Sequence, residues 1–139
     1  MSVHFSSKSN EWSTPQYFFD ELNTRYNFTC DLAATAENTK CDLFLSDSLV
    51  ADWNKIPGWL WLNPPYGREL GAWVEKAYRE NTLGAKIVML IPARTDTKYW
   101  HEYIFNKAEV VFLKGRLKFG DRENSAPFPS ALIIYGERE

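Results

Sequence analysis

No apolar run approaches the ~18 residues that a membrane-crossing helix needs. The start, MSVHFSSKSNEW, also lacks the basic-then-apolar order of a signal peptide. A soluble, cytoplasmic protein with no membrane partner is expected. Cysteine is scarce: Cys30 and Cys41 are the only two, and their spacing fits neither a CxxC metal pattern nor a disulfide framework. Both are expected to be reduced and at least partly buried. His4 and His101 have no ligand-like partner spacing, so no metal site is expected. Net positive charge is missing as well. Sixteen Lys and Arg against eighteen Asp and Glu leave −2, an unexpected balance for a protein that grips nucleic acid, because phosphate contacts supply most non-specific affinity. The distribution matters more than the total. In KAEVVFLKGRLKFGDR (107–122), five cations (Lys107, Lys114, Arg116, Lys118, Arg122) stand against Glu109 and Asp121, a local +3.

What the chain does have is apolar and aromatic mass. With 139 residues, 45% hydrophobic and 16% aromatic, it can bury one core and is too short for two ordinary domains. A polar, frayed segment over 1–10 and a single domain over 11–139 are expected. Neither an internal repeat nor a low-complexity tract occurs.

The periodicities give the order of elements. WSTPQYFFDELNTRY predicts a helix over about 15–25, with Thr14 as its cap and Pro15 in its first position. FTCDLAA (28–34) reads as a short strand ending on Asp31, LFL as a second short strand, and Ser46-Asp47-Ser48 as a turn. WLWLN (59–63) is a strand. Leu70, Trp73, Val74, Ala77 and Tyr78 recur at helical spacing and predict a helix over about 68–82. AKIVMLIPA (85–93) has the continuous apolar character of a strand buried on both faces. TKYWHEYIFNKA (97–108) reads as helix, EVVFLKG (109–115) and SALIIYG (130–136) as strands. Alternating strands and helices imply an α/β fold with a mostly parallel sheet, closed by an antiparallel C-terminal edge strand. Trp59, Trp61, Trp73 and Trp100 are expected in the core.

One stretch resists a purely structural reading. WLWLNPPYG (59–67) is an apolar strand that stops on an amide, two prolines and a phenol. Ligands of open α/β sheets bind beyond the carboxyl ends of the strands, and Asn63 occupies that position. Pro64 restricts Asn63 to an extended backbone, and Pro64 and Pro65 remove two N–H donors. The loop therefore offers acceptors, the Asn63 amide oxygen and the Pro64 carbonyl, which suit a substrate amino group. Tyr66 adds a flat face suited to stacking on a planar ring.

Asn63-Pro64-Pro65-Tyr66 matches the (D/N/S)PP(Y/F/W) motif of amino-methyltransferases. More of the chain resembles the phage-type DNA N6-adenine methyltransferases: Trp12-Ser13-Thr14-Pro15, Asp31-Leu32-Ala33-Ala34, PARTDT (92–97), KGRLKFG (114–120) and Ala126-Pro127-Phe128 with Ser130-Ala131-Leu132. The resemblance spans roughly 11–136. It implies a compact Rossmann-like fold that binds S-adenosylmethionine, DNA as partner, and direct methyl transfer to a flipped adenine. Asn63, Pro64, Pro65 and Tyr66 would be the catalytic set. Trp12, Thr14, Pro15, Asp31, Leu32, Ala33, Asp47, Ser48 and Asn63 would face the cofactor, with Glu37, Asp42 and Asp47 as candidates for its ribose. The glycine-rich turn usual after the first strand is replaced by DLAAT. For DNA, the candidates are Arg94, the basic Lys114, Arg116 and Lys118, and Phe119 and Phe128 against the displaced strand. So small a DNA-contacting surface implies relaxed specificity or a homodimer. Another planar amine (cytosine N4, an RNA base, a glutamine amide) and a degenerate, non-catalytic homologue stay open as alternatives.

Overall fold

The computed structural model of the protein describes residues 12–119 and 125–137. The polar start (1–10), His4, and Gly120, Asp121 and Arg122 of the basic segment lie outside them. Helix α1 (Gln16–Tyr26) leads into strand β1 (Cys30–Asp31), a 3-10 turn (Trp53–Lys55) and strand β2 (Trp59–Leu62). Helix α2 (Leu70–Thr82) connects β2 to β3 (Lys86–Pro92), a π turn (Trp100–Ile104) follows, and β4 (Glu109–Phe112) and β5 (Ser130–Tyr135) complete the sheet. Among the described residues no helix is long and apolar enough to cross a membrane.

The sheet runs β1-β2-β3-β5-β4. β1 pairs with β2 and β2 with β3 in parallel, whereas β5 lies antiparallel to both β3 and β4. This corrects two sequence expectations: the sheet is mixed rather than mostly parallel, and the C-terminal strand is interior, leaving β4 on the edge. The reason lies in hydrophobicity. Every residue of β5 is buried, while β4 carries exposed Glu109, Val111 and Phe112. The strand with the longer apolar stretch, Ala131–Ile134, takes the position with two neighbours, and the shorter strand that begins on Glu109 lies at the edge. Since β4 opposes β5 and β5 opposes β3, strands β1 to β4 all end on the same edge.

β3 is buried along nearly its whole length, so both faces of the sheet are covered. On α1, Phe19 packs against Phe28 and edge-on to Trp61 of β2, and α2 packs on β3 and β5. Each such side chain contributes roughly 1.5–3 kcal/mol on burial. Several elements are shorter than their periodicity suggests. The regular strand at 28–34 contracts to two residues, although Thr29 and Leu32 continue the bonding to Trp59 and Trp61. The expected LFL strand is reduced to an isolated parallel bridge between Phe44 and Asp31, with Asp31 bonded through its backbone to Leu43 and Leu45. The helix expected over 97–108 is shorter, helical over 98–104 with π geometry in Trp100–Ile104, and ends at Phe105 in an extended conformation. Thr14 does not cap α1. Pro15 holds the cap position with no side-chain bond, and Thr14 is buried on other business.

Candidate active site

Asn63 follows the last residue of β2, and its amide is fixed from both ends. Nδ2 donates to the Trp12 carbonyl and to Thr14 Oγ1 at 3.0 Å. Since a carbonyl can only accept, this sets which amide atom is nitrogen. Oδ1 then accepts from the Tyr66 hydroxyl at 2.8 Å and keeps a second lone pair free. The Tyr66 hydroxyl is also 3.0 Å from the Leu90 carbonyl of β3, so its single proton is shared between two acceptors. Full burial pushes the Tyr66 phenol far above its ordinary range, and it stays neutral. The turn after it reverses at Gly67, whose φ of 115° excludes most side chains. Among the described residues the Pro64 carbonyl accepts no hydrogen bond.

Tyr66 is not a free platform. Its ring is 6% exposed. It lies nearly parallel to Trp12 at 6.5 Å between centroids, with Phe119 and Phe128 edge-on to both rings. Phe119 and Phe128 are thus buried members of one aromatic box rather than residues displayed to solvent. Arg94 is exposed with its guanidinium 5.9 Å from the Phe128 ring. Lys114, Arg116 and Lys118 are exposed, while Leu117 and Phe119 between and after them are buried. The segment therefore has a basic outer side and an apolar inner side.

A cavity opens beside Asn63 at the carboxyl edge. Trp12, Thr14, Asp31, Ala33, Asn63, Pro64 and Pro65 line it, as the sequence suggested. Pro15, Leu32, Asp47 and Ser48 do not. Ser48 is buried and donates to the Leu32 carbonyl, and Ser46 takes the place at the wall. Glu37, Asp42 and Asp47 are exposed and outside the lining. Sequence reasoning missed Asn38, Lys40 and Trp73. Lys40 falls in the stretch with no periodicity, and Trp73 was counted only as packing.

The glycine-free loop after β1 is organised by Asp31. Its Oδ1 accepts from the Ala33 N–H at 3.3 Å and its Oδ2 from the Lys40 N–H at 3.0 Å, so one carboxylate ties both ends of the loop. Burial pushes the Asp31 carboxyl above its ordinary value, against the pull of those two N–H groups and the Lys40 charge. Trp73, 4% exposed, carries an indole N–H with no hydrogen-bond partner among the described residues. Both cysteines are free, and burial first, with the Asp31 charge second, pushes Cys30 up to about 11 and Cys41 to about 12. Neither is a thiolate at neutral pH.

A family model described as DNA N-6-adenine-methyltransferase (Dam) matches residues 2–133. The chain belongs to that family. A DNA N-6-adenine-methyltransferase of Escherichia phage T1 is 36% identical over 110 residues, covering 76% of this chain and 45% of the relative. The chain thus spans less than half the length of that Dam relative. Membership of the Dam family fits a sheet edge that holds an asparagine, two prolines and a buried phenol next to an open cavity.

Proposed function

We propose that this chain methylates the exocyclic N6 amino group of adenine in DNA, with S-adenosylmethionine as methyl donor. The observation that carries this reading is the anchored Asn63 amide in the lining of a cavity that Pro64 also lines, with a Pro64 carbonyl that accepts no hydrogen bond among the described residues. Two rigid acceptors take the two N–H bonds of an arylamine. They favour a nitrogen whose lone pair is withdrawn from the ring and turned toward an incoming methyl group. No covalent enzyme intermediate is required.

The cavity residues fit the cofactor. Lys40 and Asp31 supply charges of both signs, and the unpartnered Trp73 N–H supplies a donor at the wall. Bound there, S-adenosylmethionine supplies an electrophilic methyl group on sulfur. Thr14, Ala33 and Asn63 would line its amino-acid side, and Ser46 and Trp73 the other. The parallel ladder β1-β2-β3 with its crossover helix supports a Rossmann-like arrangement.

A base in a duplex must leave the stack to reach Asn63. Tyr66 would stack on it once the cover made by Trp12, Phe119 and Phe128 opens. Arg94, Lys114, Arg116 and Lys118 would hold phosphates, and a homodimer would enlarge this small footprint. The site of action would be the cytoplasm of a phage-infected or bacterial cell. Incubating the protein with methyl-labelled S-adenosylmethionine and DNA, RNA or protein, then digesting the products, tests the proposal. Label in DNA as N6-methyladenine is the expected result. Label only in cytosine, RNA or glutamine, or none at all, would reject it.

A further inference from the structure

We propose that the Lys40 ammonium reads the carboxylate at the amino-acid end of the cofactor. It thereby makes the cavity select S-adenosylmethionine over related nucleosides that lack the carboxylate. The inference rests on the cavity being the cofactor site and names the group that sets its selectivity.

Among the described residues Lys40 is the only basic one in the cavity lining. Its main chain is pinned, because its N–H donates to Asp31 Oδ2 at 3.0 Å, so the stem leaves from a fixed point. Nζ donates to Gln16 Oε1 at 3.0 Å, and Gln16 is itself held by donating from Nε2 to Asp20 Oδ1 at 2.8 Å. Lys40 thus has a neutral partner and forms no ion pair among the described residues; the cationic side chains that do are Lys76, Arg79 and Lys86. The other charge in the lining, Asp31, has its two oxygens engaged by backbone N–H groups. An ammonium kept half-buried with donors to spare gains most from an anion. Asp20, one turn into α1, and Asp31 are the acidic groups whose charges reach Lys40, and neither forms an ion pair with it among the described residues. Among the described residues the rest of the lining has no charged side chain, its polar members being neutral, such as Ser13, Thr35, Asn38 and Ser46. Lys40 is therefore the cationic partner this lining offers a carboxylate.

The test uses calorimetry on the full chain with S-adenosylhomocysteine, which has the carboxylate, and 5′-methylthioadenosine, which lacks the amino-acid end. Lys40→Met keeps the stem, and because the anchor to Asp31 is a backbone N–H the loop stays tied. The expected result is a loss of about 10-fold or more for S-adenosylhomocysteine, the scale of a charge-assisted bond. Binding of 5′-methylthioadenosine should change by less than about 2-fold, and Lys40→Arg should restore most of the difference. An equal loss for both ligands would make Lys40 a loop support and overturn the proposal. So would no loss for either. If the unaltered protein binds neither ligand, the cofactor reading itself falls and takes this one with it.

Discussion

Asn63 and Tyr66 work as a pair, and each can be tested by one atom group. Tyr66→Phe keeps the ring in its aromatic box and removes only the hydroxyl that bonds Asn63 Oδ1 and faces the Leu90 carbonyl. Turnover should fall about fivefold to tenfold, the kinetic equivalent of one ordinary hydrogen bond, with DNA affinity unchanged. Parallel measurement of single-turnover rate and DNA Kd checks this, and an unchanged rate would contradict the pairing. Tyr66→Ala should instead weaken base capture by roughly 1–3 kcal/mol. The place of Asn63 at the carboxyl end of β2 was legible in the sequence, since an apolar run that stops on an amide and two prolines marks a strand end. Its anchors were not. Thr14 and the Trp12 carbonyl meet Asn63 from 49 and 51 positions away in sequence, and no local pattern carries such a contact. Thr14 looked like a helix cap because its spacing suits one; the half-buried amide of Asn63 holds it instead.

At the scale of elements, α2 is fixed to the segment before β2 by a buried cluster. Glu80 Oε1 accepts from the Asn54 N–H and Nδ2, Oε2 accepts from Lys76 Nζ at 2.7 Å, and Lys76 also donates to the Ala51 carbonyl. Burial raises the Glu80 carboxyl, but the bonds from Lys76 and Asn54 and the Lys76 charge outweigh it and hold the group below its ordinary value of 4.5. Its contribution is present at neutral pH and is lost as pH falls from about 4.5 through the lower folded value. Glu80→Gln should therefore cost about 1–3 kcal/mol at pH 7, with the gap closing in acid. Urea unfolding at several pH values measures it, and a gap independent of pH would exclude an ionic role. The second element to test is the basic segment after β4. Alternation of Lys114, Arg116 and Lys118 placed them on one side by sequence, and the burial of Leu117 and Phe119 agrees. Replacing the three together should weaken DNA binding alike across sequences and flatten the salt slope by up to roughly three units. An unchanged slope would move the search to Arg94 and α2. What sequence missed here is the fate of Phe119 and Phe128, because alternation says which side a residue faces and not what covers it.

At the scale of the whole molecule, the order of helices and strands was readable from apolar periodicity, and the placing of β5 was not. SALIIYG looks the same whether it closes an edge or fills the gap between β3 and β4. Only its complete burial, set against exposed Val111 and Phe112 on β4, decides the matter. The insertion of β5 leaves β1 and β2 parallel and adjacent, so Asp31 and Asn63 share one edge and the cavity between them has both a charged loop and an amide. The chemistry assigned to that edge depends on Asn63 more than on any other residue. The direct test is single-turnover methyl transfer to DNA by Asn63→Ala, measured together with S-adenosylhomocysteine affinity and a thermal melt. The rate should fall by about 10²-fold or more, the scale for one positioned polar group in a transition state. Affinity for S-adenosylhomocysteine should change far less and the melt should remain cooperative. Near-normal transfer by Asn63→Ala would contradict the account at its centre.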